Sequence, residues 1–565
     1  MSKKQKNTLI RLFTPQGEDL SGQPWNVYPR PQMRRDSFFC LNGEWDLYAA
    51  EGAPKETVIV PFPPESALSG IERSMGDAPH YRYEKRFSLP EGFVKGRVLL
   101  HFGAVDQIAR VSLNGAFVGE HIGGYESFYF DITNELKDEN LLVVEVTDEL
   151  QSKVLPYGKQ TLSRGGMWYT PVSGIWQTVW LESVPEVYIS RLDIEVGADF
   201  VEISAPVTEG CVTVGEVTAP FVGGKAKITF SEPHLWSPED PYLYDFTVTS
   251  GEDKVQSYFA LRTLEIKEVG GIARLCLNGK PYFFHGLLDQ GYYPDGIFTP
   301  ATPDCYEYDI LAMKKLGFNM LRKHIKVEPE QFYYDCDRLG MVVFQDMINN
   351  GDYKFLRDTA LPTVGFKRKN DRRMHKDAKT RKAFIEGMES TVRQLRNHPS
   401  ICYWTIFNEG WGQFDGQSAY EMLKKLDSSR FIDTTSGWFF GANSDVLSHH
   451  VYFKPIKLKK SAKPIVVSEF GGYSYRPDGH IFNPDNTYGY GSYRQQQEFE
   501  DALVKLYETE VVPAVAQGLC AAVYTQVSDV EDETNGLLSY DRKVVKVGAD
   551  RMLKIAEALY GEIKK

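Results

Sequence analysis

From about Lys267 onward the chain carries eight apolar, β-rich runs, and loops or amphipathic segments of helical length lie between them. The runs are Pro281–Leu288, Gly317–His324, Met341–Met347, Ile401–Gly410, Phe431–Gly437, Val446–Tyr452, Ile465–Gly472 and Cys520–Gln526. This repeat constrains the fold more than any other feature. Parallel strands need a crossover of a dozen or more residues between them, which places helices on the outside. Eight such strands close into a barrel, and about 300 residues is an ordinary length for one. Helical periodicity runs over Tyr306–Leu316, Arg381–Asn397, Tyr493–Thr509 and Ala549–Tyr560.

The preceding residues read differently. From Phe38 to about Glu182, short alternating runs such as Ala109–Leu113 and Leu142–Val146 are broken by Gly, Asn and Pro, the pattern of an all-β sandwich. A second β stretch from about Val187 to Ile266 has the length of a smaller immunoglobulin-like sandwich. The 565 residues, 42% hydrophobic and 25% charged, are those of a multidomain globular protein.

Several function classes are disfavoured by composition. With 64 Lys and Arg against 76 Asp and Glu the formal net charge is −12, and no terminal arm is basic enough for nucleic acid. No apolar run approaches the ~20 residues of a membrane span, so no membrane role is expected. Met1 to Asn7 is polar and no apolar leader core follows it, and the seven cysteines form no C-x-x-C pair. A cytoplasmic location is the expectation.

In a parallel barrel the reactive groups stand at the C-terminal ends of the strands. Two apolar runs end in acids there: Ile401–Phe407 leads into Asn408-Glu409-Gly410-Trp411, and Ile465–Ser468 into Glu469-Phe470-Gly471-Gly472. The fourth and seventh strands face each other across an eight-stranded barrel, so two carboxyls can converge. A carboxylate pair about 5–5.5 Å apart serves a retaining glycosidase, one member attacking the anomeric carbon and the other protonating the leaving oxygen. Either acid alone reads equally well as an exposed strand-end group or a salt-bridge partner. Asn408 is placed to reach a sugar 2-hydroxyl, and Trp404, Trp411, Tyr452 and Tyr524 supply aromatic surface near strand ends, where such rings more often serve the core. His449 and His450 have no i,i+4 helical partner and no evident third ligand, so no metal site is expected.

The chain resembles glycoside hydrolase family 2, the family of β-galactosidases, β-glucuronidases and β-mannosidases. The resemblance rests on Tyr28-Pro29-Arg30-Pro31, Leu41-Asn42-Gly43-Glu44-Trp45, Val60–Ser66 and Gly174–Glu182, then Leu235–Tyr244, then Asn397-His398-Pro399-Ser400 before Asn408-Glu409, and Ser468–Gly472. It implies a sugar-binding-type jelly-roll β-sandwich over 1–185, an immunoglobulin-like β-sandwich over 186–266 and a catalytic (β/α)8 TIM barrel over 267–565. It implies Glu409 as acid/base and Glu469 as nucleophile, a carbohydrate substrate and no organic cofactor, with room for Mg²⁺ or Na⁺ near the acid/base and for a homo-oligomer.

Three departures from the family pattern bear on the substrate. Where relatives show Arg-x-x-His-Tyr-Pro this chain has Arg322-Lys323-His324-Ile325-Lys326, which brings His324 one position closer to Arg322. A histidine that relatives place after the first strand is replaced by Asp289-Gln290. The Asn-x-Lys pair by which glucuronidases read a sugar carboxylate is replaced by Glu531-Asp532-Glu533-Thr534-Asn535, which argues against a uronate because like charges repel. Asp529 or Glu531 is expected to reach the site or a bound cation, and Tyr452 to donate to the nucleophile. Nine Lys and Arg between Lys367 and Lys382 keep an anionic sugar in play, although a solvated loop or a subunit contact is the first reading of such a run, as it is of Lys454–Lys463. The activity expected is hydrolysis of terminal β-galactosides, with β-glucuronides, β-galacturonides and β-mannosides as alternatives, and a non-catalytic carbohydrate-binding protein as the rival from another class.

Overall fold

The computed structural model describes residues 9–50, 52–76, 80–361, 371–437 and 442–565. Its first sandwich packs a four-stranded antiparallel sheet, ordered Phe39–Cys40, Val179–Val184, Arg97–Phe102, Phe128–Asp131, against a six-stranded one. Period-two alternation drives the packing: in Asn140–Thr147 every second residue is buried, and Leu142, Val144 and Val146 meet Trp45, Tyr83, Leu100 and Leu181 in one core. The second sandwich sets three strands (Asp193–Val196, Phe200–Ser204, Lys225–Thr229) against four between Cys211 and Phe259 around a separate core.

The barrel strands, numbered within it, are β1 Phe284–Asp289, β2 Met320–Lys323, β3 Val342–Asp346, β4 Ile401–Asn408, β5 Phe431–Ser436, β6 Leu447–Val451, β7 Ile465–Phe470 and β8 Leu519–Tyr524. They are hydrogen-bonded in parallel in the order β5-β4-β3-β2-β1-β8-β7-β6. Each of the eight expected runs supplies one strand. β5 and β6 complete the ring without a ladder; the seam is joined by Asp445 N to Ile432 O at 2.8 Å and by Ser436 Oγ to His450 Nε2 at 2.9 Å. The principal outer helices are α1 Asp304–Lys315, α2 Glu330–Leu339, α3 Ala378–Leu395, α4 Gly416–Leu426, α5 Gln496–Leu506 and α6 Ala549–Ile563.

The barrel interior is filled from below. Phe284, Met320, Val342, Phe344, Tyr403, Val466 and Val523 form a packed floor with Trp236 of the second sandwich, and Phe344 and Tyr403 stack 4.1 Å apart. Above this floor the polar side chains gather toward the C-terminal rim, with Asp433 buried midway along β5. Trp404, read from sequence as aromatic surface, points outward from β4 into the core, with Nε1 donating to Asp427 Oδ2 at 2.9 Å.

One buried charge cluster joins the two sandwiches. Arg35 holds Asp253 with both ends of its fork (2.9 and 2.8 Å) and reaches Glu182 at 3.3 Å, while Tyr28 and Arg30 also donate to Glu182. Burial acts to raise the Glu182 carboxyl, but Arg30, His101 and Arg35 outweigh it and hold it far below the ordinary glutamate value. Removing one partner of a buried pair costs about 3–5 kcal/mol. Arg35→Met is expected to lower the urea unfolding midpoint accordingly. Because the folded-state value of Glu182 is depressed, its contribution is present at neutral pH and is lost as pH falls below ~4.3. That acid-side loss should be smaller in Arg35→Met.

Candidate functional site

Arg322, the third residue of β2, is 1% exposed, and each nitrogen of its guanidinium meets an acceptor. Nε donates to Asp346 Oδ1 at 3.0 Å, Nη1 to Ser468 O at 2.9 Å and Glu469 Oε1 at 3.0 Å, and Nη2 to Asn408 Oδ1 at 2.9 Å and Asp346 Oδ2 at 3.0 Å. Asp346 ends β3, Asn408 ends β4, and Glu469 lies near the end of β7. A single planar cation thus ties four strand ends together. Because Asn408 spends its carbonyl on Arg322, its amide NH₂ faces away from the guanidinium, as a donor to a sugar hydroxyl must.

Glu469 is held at both oxygens. Oε1 takes Arg322, and Oε2 takes Tyr452 Oη at 2.5 Å and lies 3.4 Å from His450 Nδ1. Burial pushes this carboxyl up, but His450, Arg322, His324 and the Tyr452 hydroxyl reverse the effect and hold it well below the usual glutamate range. Tyr452 also meets Thr525 Oγ1 at 3.0 Å, and its ring stacks on Tyr490 at 3.8 Å. Tyr488 and Tyr490 come from the segment after β7, which composition alone did not distinguish from core aromatics.

Glu409 follows β4 in a left-handed backbone conformation (φ +52°) that its N–H bond to Ser436 O, 2.8 Å, helps to hold. Its Oε1 lies 2.8 Å from His450 Nδ1. A β-carbon on Gly437 (φ +104°) would come within 3.3 Å of His450 Nδ1 and 3.4 Å of Glu409 Cγ, so glycine there keeps this pair unobstructed. His324 is placed by Asp346, its Nδ1 donating to Oδ2 at 2.7 Å; burial and then Lys159 lower its titration to about 4, which leaves it neutral at physiological pH.

The other expected site residues fare differently. Trp411 is 1% exposed because Trp168 of the first sandwich stacks over it at 5.2 Å, so the available ring at the rim is the half-buried Trp168. Tyr524 lies in the core, packed edge-on against Phe470, with its hydroxyl accepting from Tyr473 N. Asp289 is paired with Lys323 Nζ at 2.6 Å. Asp529 takes Lys546 Nζ at 2.6 Å and Gly536 N at 2.9 Å in a closed network, with burial raising its titration to about 6. Strand-end position misled for these four, since it says nothing of what a neighbouring loop will cover. The acidic loop is likewise engaged by the first sandwich: Arg164 reaches Asp532 at 2.9 Å, Thr170 N reaches Glu531 at 2.9 Å, and Tyr169 donates to Glu533.

Of the basic run after β3, Lys367, Arg368 and Lys369 lie outside the described residues. Within the described part Arg381 is spent on the carbonyls of Arg372, Met374 and His375, while Arg372 reaches Asp415. The lysines of the 454–463 run are exposed, and Lys463 Nζ donates to Ser444 O at 2.7 Å.

One oxygen each of Glu409 and Glu469 and a ring nitrogen of His450 lie within 4.8 Å of one another. A cation among them would fill the space where an anomeric carbon must come between the two carboxyls, and His450 already hydrogen-bonds an acid there. Mg²⁺ or Na⁺ does not fit this trio. Among the described residues no helix is long and apolar enough to cross a membrane.

Two carboxyls thus face each other at the C-terminal rim of a parallel barrel, and comparison with known proteins gives the family. The description "Glycosyl hydrolases family 2, TIM barrel domain" matches residues 268–552, "Glycosyl hydrolase 2 galactose-binding domain-like" matches 72–161, and "Glycosyl hydrolases family 2" matches 195–262. The chain belongs to glycosyl hydrolase family 2. It is similar to a β-galactosidase of Thermoanaerobacter pseudethanolicus (27% identical over 435 residues, 70% of this chain and 54% of the relative) and a β-glucuronidase of Bacteroides fragilis (23% over 434 residues, 69% and 58%). The match spans little more than half the length of these curated relatives. The same fold occurs in the solved structures of a β-galacturonidase from Eisenbergiella tayi (TM-score 0.67, 17% identity, 95% of this chain and 98% of that one) and a β-D-glucuronidase of Dictyoglomus thermophilum (TM-score 0.71, 17%, 94% and 98%).

The Tyr452 bond yields a prediction for pH dependence. A group whose ionised form loses a donor titrates higher, so in Tyr452→Phe the acid limb of the kcat/KM profile should move to higher pH by about one unit, the equivalent of ~1.4 kcal/mol. A profile displaced downward in rate with its acid limb in place would show that the hydroxyl does not tune Glu469.

Proposed function

We propose that the protein is a retaining exo-β-glycosidase that removes one terminal β-linked sugar by double displacement. The observation that carries this reading is the pair of facing carboxyls with oxygens within 4.8 Å, since a retaining pair stands about 5–5.5 Å apart and an inverting pair needs room for water. Glu469, ionised within its nest of donors, attacks the anomeric carbon. Glu409, which makes no contact with Arg322, protonates the departing oxygen and then takes a proton from the water that releases the sugar. Asn408 steadies the 2-hydroxyl, where contacts strengthen in the oxocarbenium-like transition state. Residues 164–170 of the first sandwich wall one side of the rim, which suits a pocket for a single terminal sugar.

β-Galactosides are the first substrates by sequence expectation and by the name of one relative. A specific observation favours a second reading, β-uronides. Lys159 is only 6% exposed, its Nζ lies over the rings of Trp411 (5.7 Å) and Tyr169 (5.6 Å), and it has no ion pair or Nζ hydrogen bond among the described residues. It stands beside His324, on whose titration it acts. A buried cation without an anion is costly, and a substrate carboxylate would offset that cost. The objection raised by the acidic loop is weakened, because Arg164, Thr170 and Tyr169 already hold its carboxylates.

The test is a panel of p-nitrophenyl β-galactoside, β-glucuronide, β-galacturonide and β-mannoside on wild type, Glu409→Gln, Glu469→Gln and Lys159→Met. Glu469→Gln should abolish turnover, and Glu409→Gln should lower it by about 10²–10⁴-fold on leaving groups that need protonation. Uronide preference that falls about 10²-fold or more in Lys159→Met selects the second reading. Galactoside preference indifferent to Lys159 selects the first. Sugar binding without turnover, unchanged in both glutamate variants, would mark a non-catalytic binding protein.

A further inference from the structure

Behind Glu409 stands a hydrogen-bonded row whose proton directions can be worked out from its far end. Ser468 Oγ lies 3.3 Å from the His449 carbonyl, which can only accept, so the Ser468 hydroxyl proton is used there. Ser436 Oγ, 2.9 Å from Ser468 Oγ, must then donate to it. Ser436 therefore accepts from His450 Nε2 at 2.9 Å, which fixes a proton on Nε2. The other ring nitrogen, Nδ1, faces Glu409 Oε1 at 2.8 Å. With Nε2 already protonated, that contact is a hydrogen bond only when one proton lies between Nδ1 and Oε1, belonging either to the carboxyl or to the imidazole.

We propose that His450 is a positioning residue for Glu409 and shares one proton with it across the Nδ1–Oε1 contact, with Ser436 and Ser468 setting the tautomer. The inference rests on the reading of Glu409 as the acid/base. As the C1–O bond to the leaving group breaks and the bond from Glu469 to C1 forms, the shared proton passes from Glu409 to the departing oxygen, leaving Glu409 ionised beside a neutral His450. When water attacks C1 and the bond to Glu469 breaks, the water proton returns to the pair. The groups that face His450 are Glu409 from the end of β4, Ser436 and Asp433 from β5, and Ser468 and Glu469 from β7, with Arg322 of β2 behind Glu469. Glu469 takes Arg322 at Oε1 and Tyr452 at Oε2 and lies 3.4 Å from Nδ1, farther than Glu409 at 2.8 Å, so the proton at Nδ1 is shared with Glu409.

The test compares phenyl and 2,4-dinitrophenyl β-glycosides of the sugar that the wild type cleaves best, across pH, in wild type, His450→Asn, Ser436→Ala and Glu409→Gln. Asparagine places an amide near Nδ1 but cannot ionise. In His450→Asn the alkaline limb of kcat/KM should move to lower pH by one unit or more, and kcat/KM for the phenyl glycoside should fall at least tenfold further than for the dinitrophenyl one, whose leaving group needs no proton. Ser436→Ala, which keeps the imidazole and removes only the acceptor of its Nε2 proton, should move the limb in the same direction by less. An alkaline limb unmoved in both variants, or equal losses on the two leaving groups, overturns the proposal. If Glu409→Gln itself shows no leaving-group dependence, the acid/base reading fails instead, so the two failures are told apart.

Discussion

The site is organised around the five N–H groups of Arg322. A guanidinium buried to 1% exposure is tolerable only if each donor finds an acceptor, and here the acceptors come from the ends of β3, β4 and β7. Satisfying the cation therefore sets the spacing of Asp346, Asn408 and Glu469 at once. The same contacts give the two facing glutamates different environments: both border His450, Glu409 at 2.8 Å and Glu469 at 3.4 Å, but Glu469 alone takes Arg322 and Tyr452. Two chemically identical side chains thus stand in environments of different charge and donor content, as the proposed division of labour between them requires.

The rim is a composite of two domains. Residues 157–170 of the first sandwich cross the barrel mouth, with Tyr157 N bonded to Asn349 O at 3.1 Å, Trp168 stacked on Trp411, and Arg164 and Thr170 on the acids after β8. Within the barrel Asp532 and Glu533 find only amide donors, from Asn483 at 2.7 Å and Asn535 at 3.0 Å, and the ion pair on this acidic stretch comes from Arg164 of the first sandwich. The inserted segment places Arg164 and two neutral donors on those acids and at the same time introduces Lys159, so the mouth is less acidic than the barrel sequence alone suggests. Charge read from one stretch of chain is a poor guide to a site built from two stretches more than 350 residues apart.

What was legible in advance follows a physical pattern. Strand runs such as Ile401–Phe407 and Ile465–Val467 are buried on both faces and so are continuously apolar, which makes a parallel barrel readable without an alignment. Where such a run ends in Glu, the ending stands at the rim, and Glu409 and Glu469 were visible for that reason. Tyr524 and Trp404 carry the same local signal and are core, because a strand's register about its own axis decides which way a side chain points. Asp289 and Asp529 are consumed by Lys323 and Lys546, partners that nothing in their local sequence announces.

By itself the sequence determined the domain order, the eight barrel strands, and the two glutamates with Asn408 between strand and loop, since each depends on local periodicity and on where apolar runs stop. Tertiary structure decided which groups meet. It placed His450 against Glu409 with a serine row behind it, turned Asn408 by its bond to Arg322, covered Trp411 with Trp168, and left Lys159 buried without an anion among the described residues. Those outcomes are set by burial and by the pairing of distant charges, and both depend on distances in space that the spacing of residues along a chain does not encode.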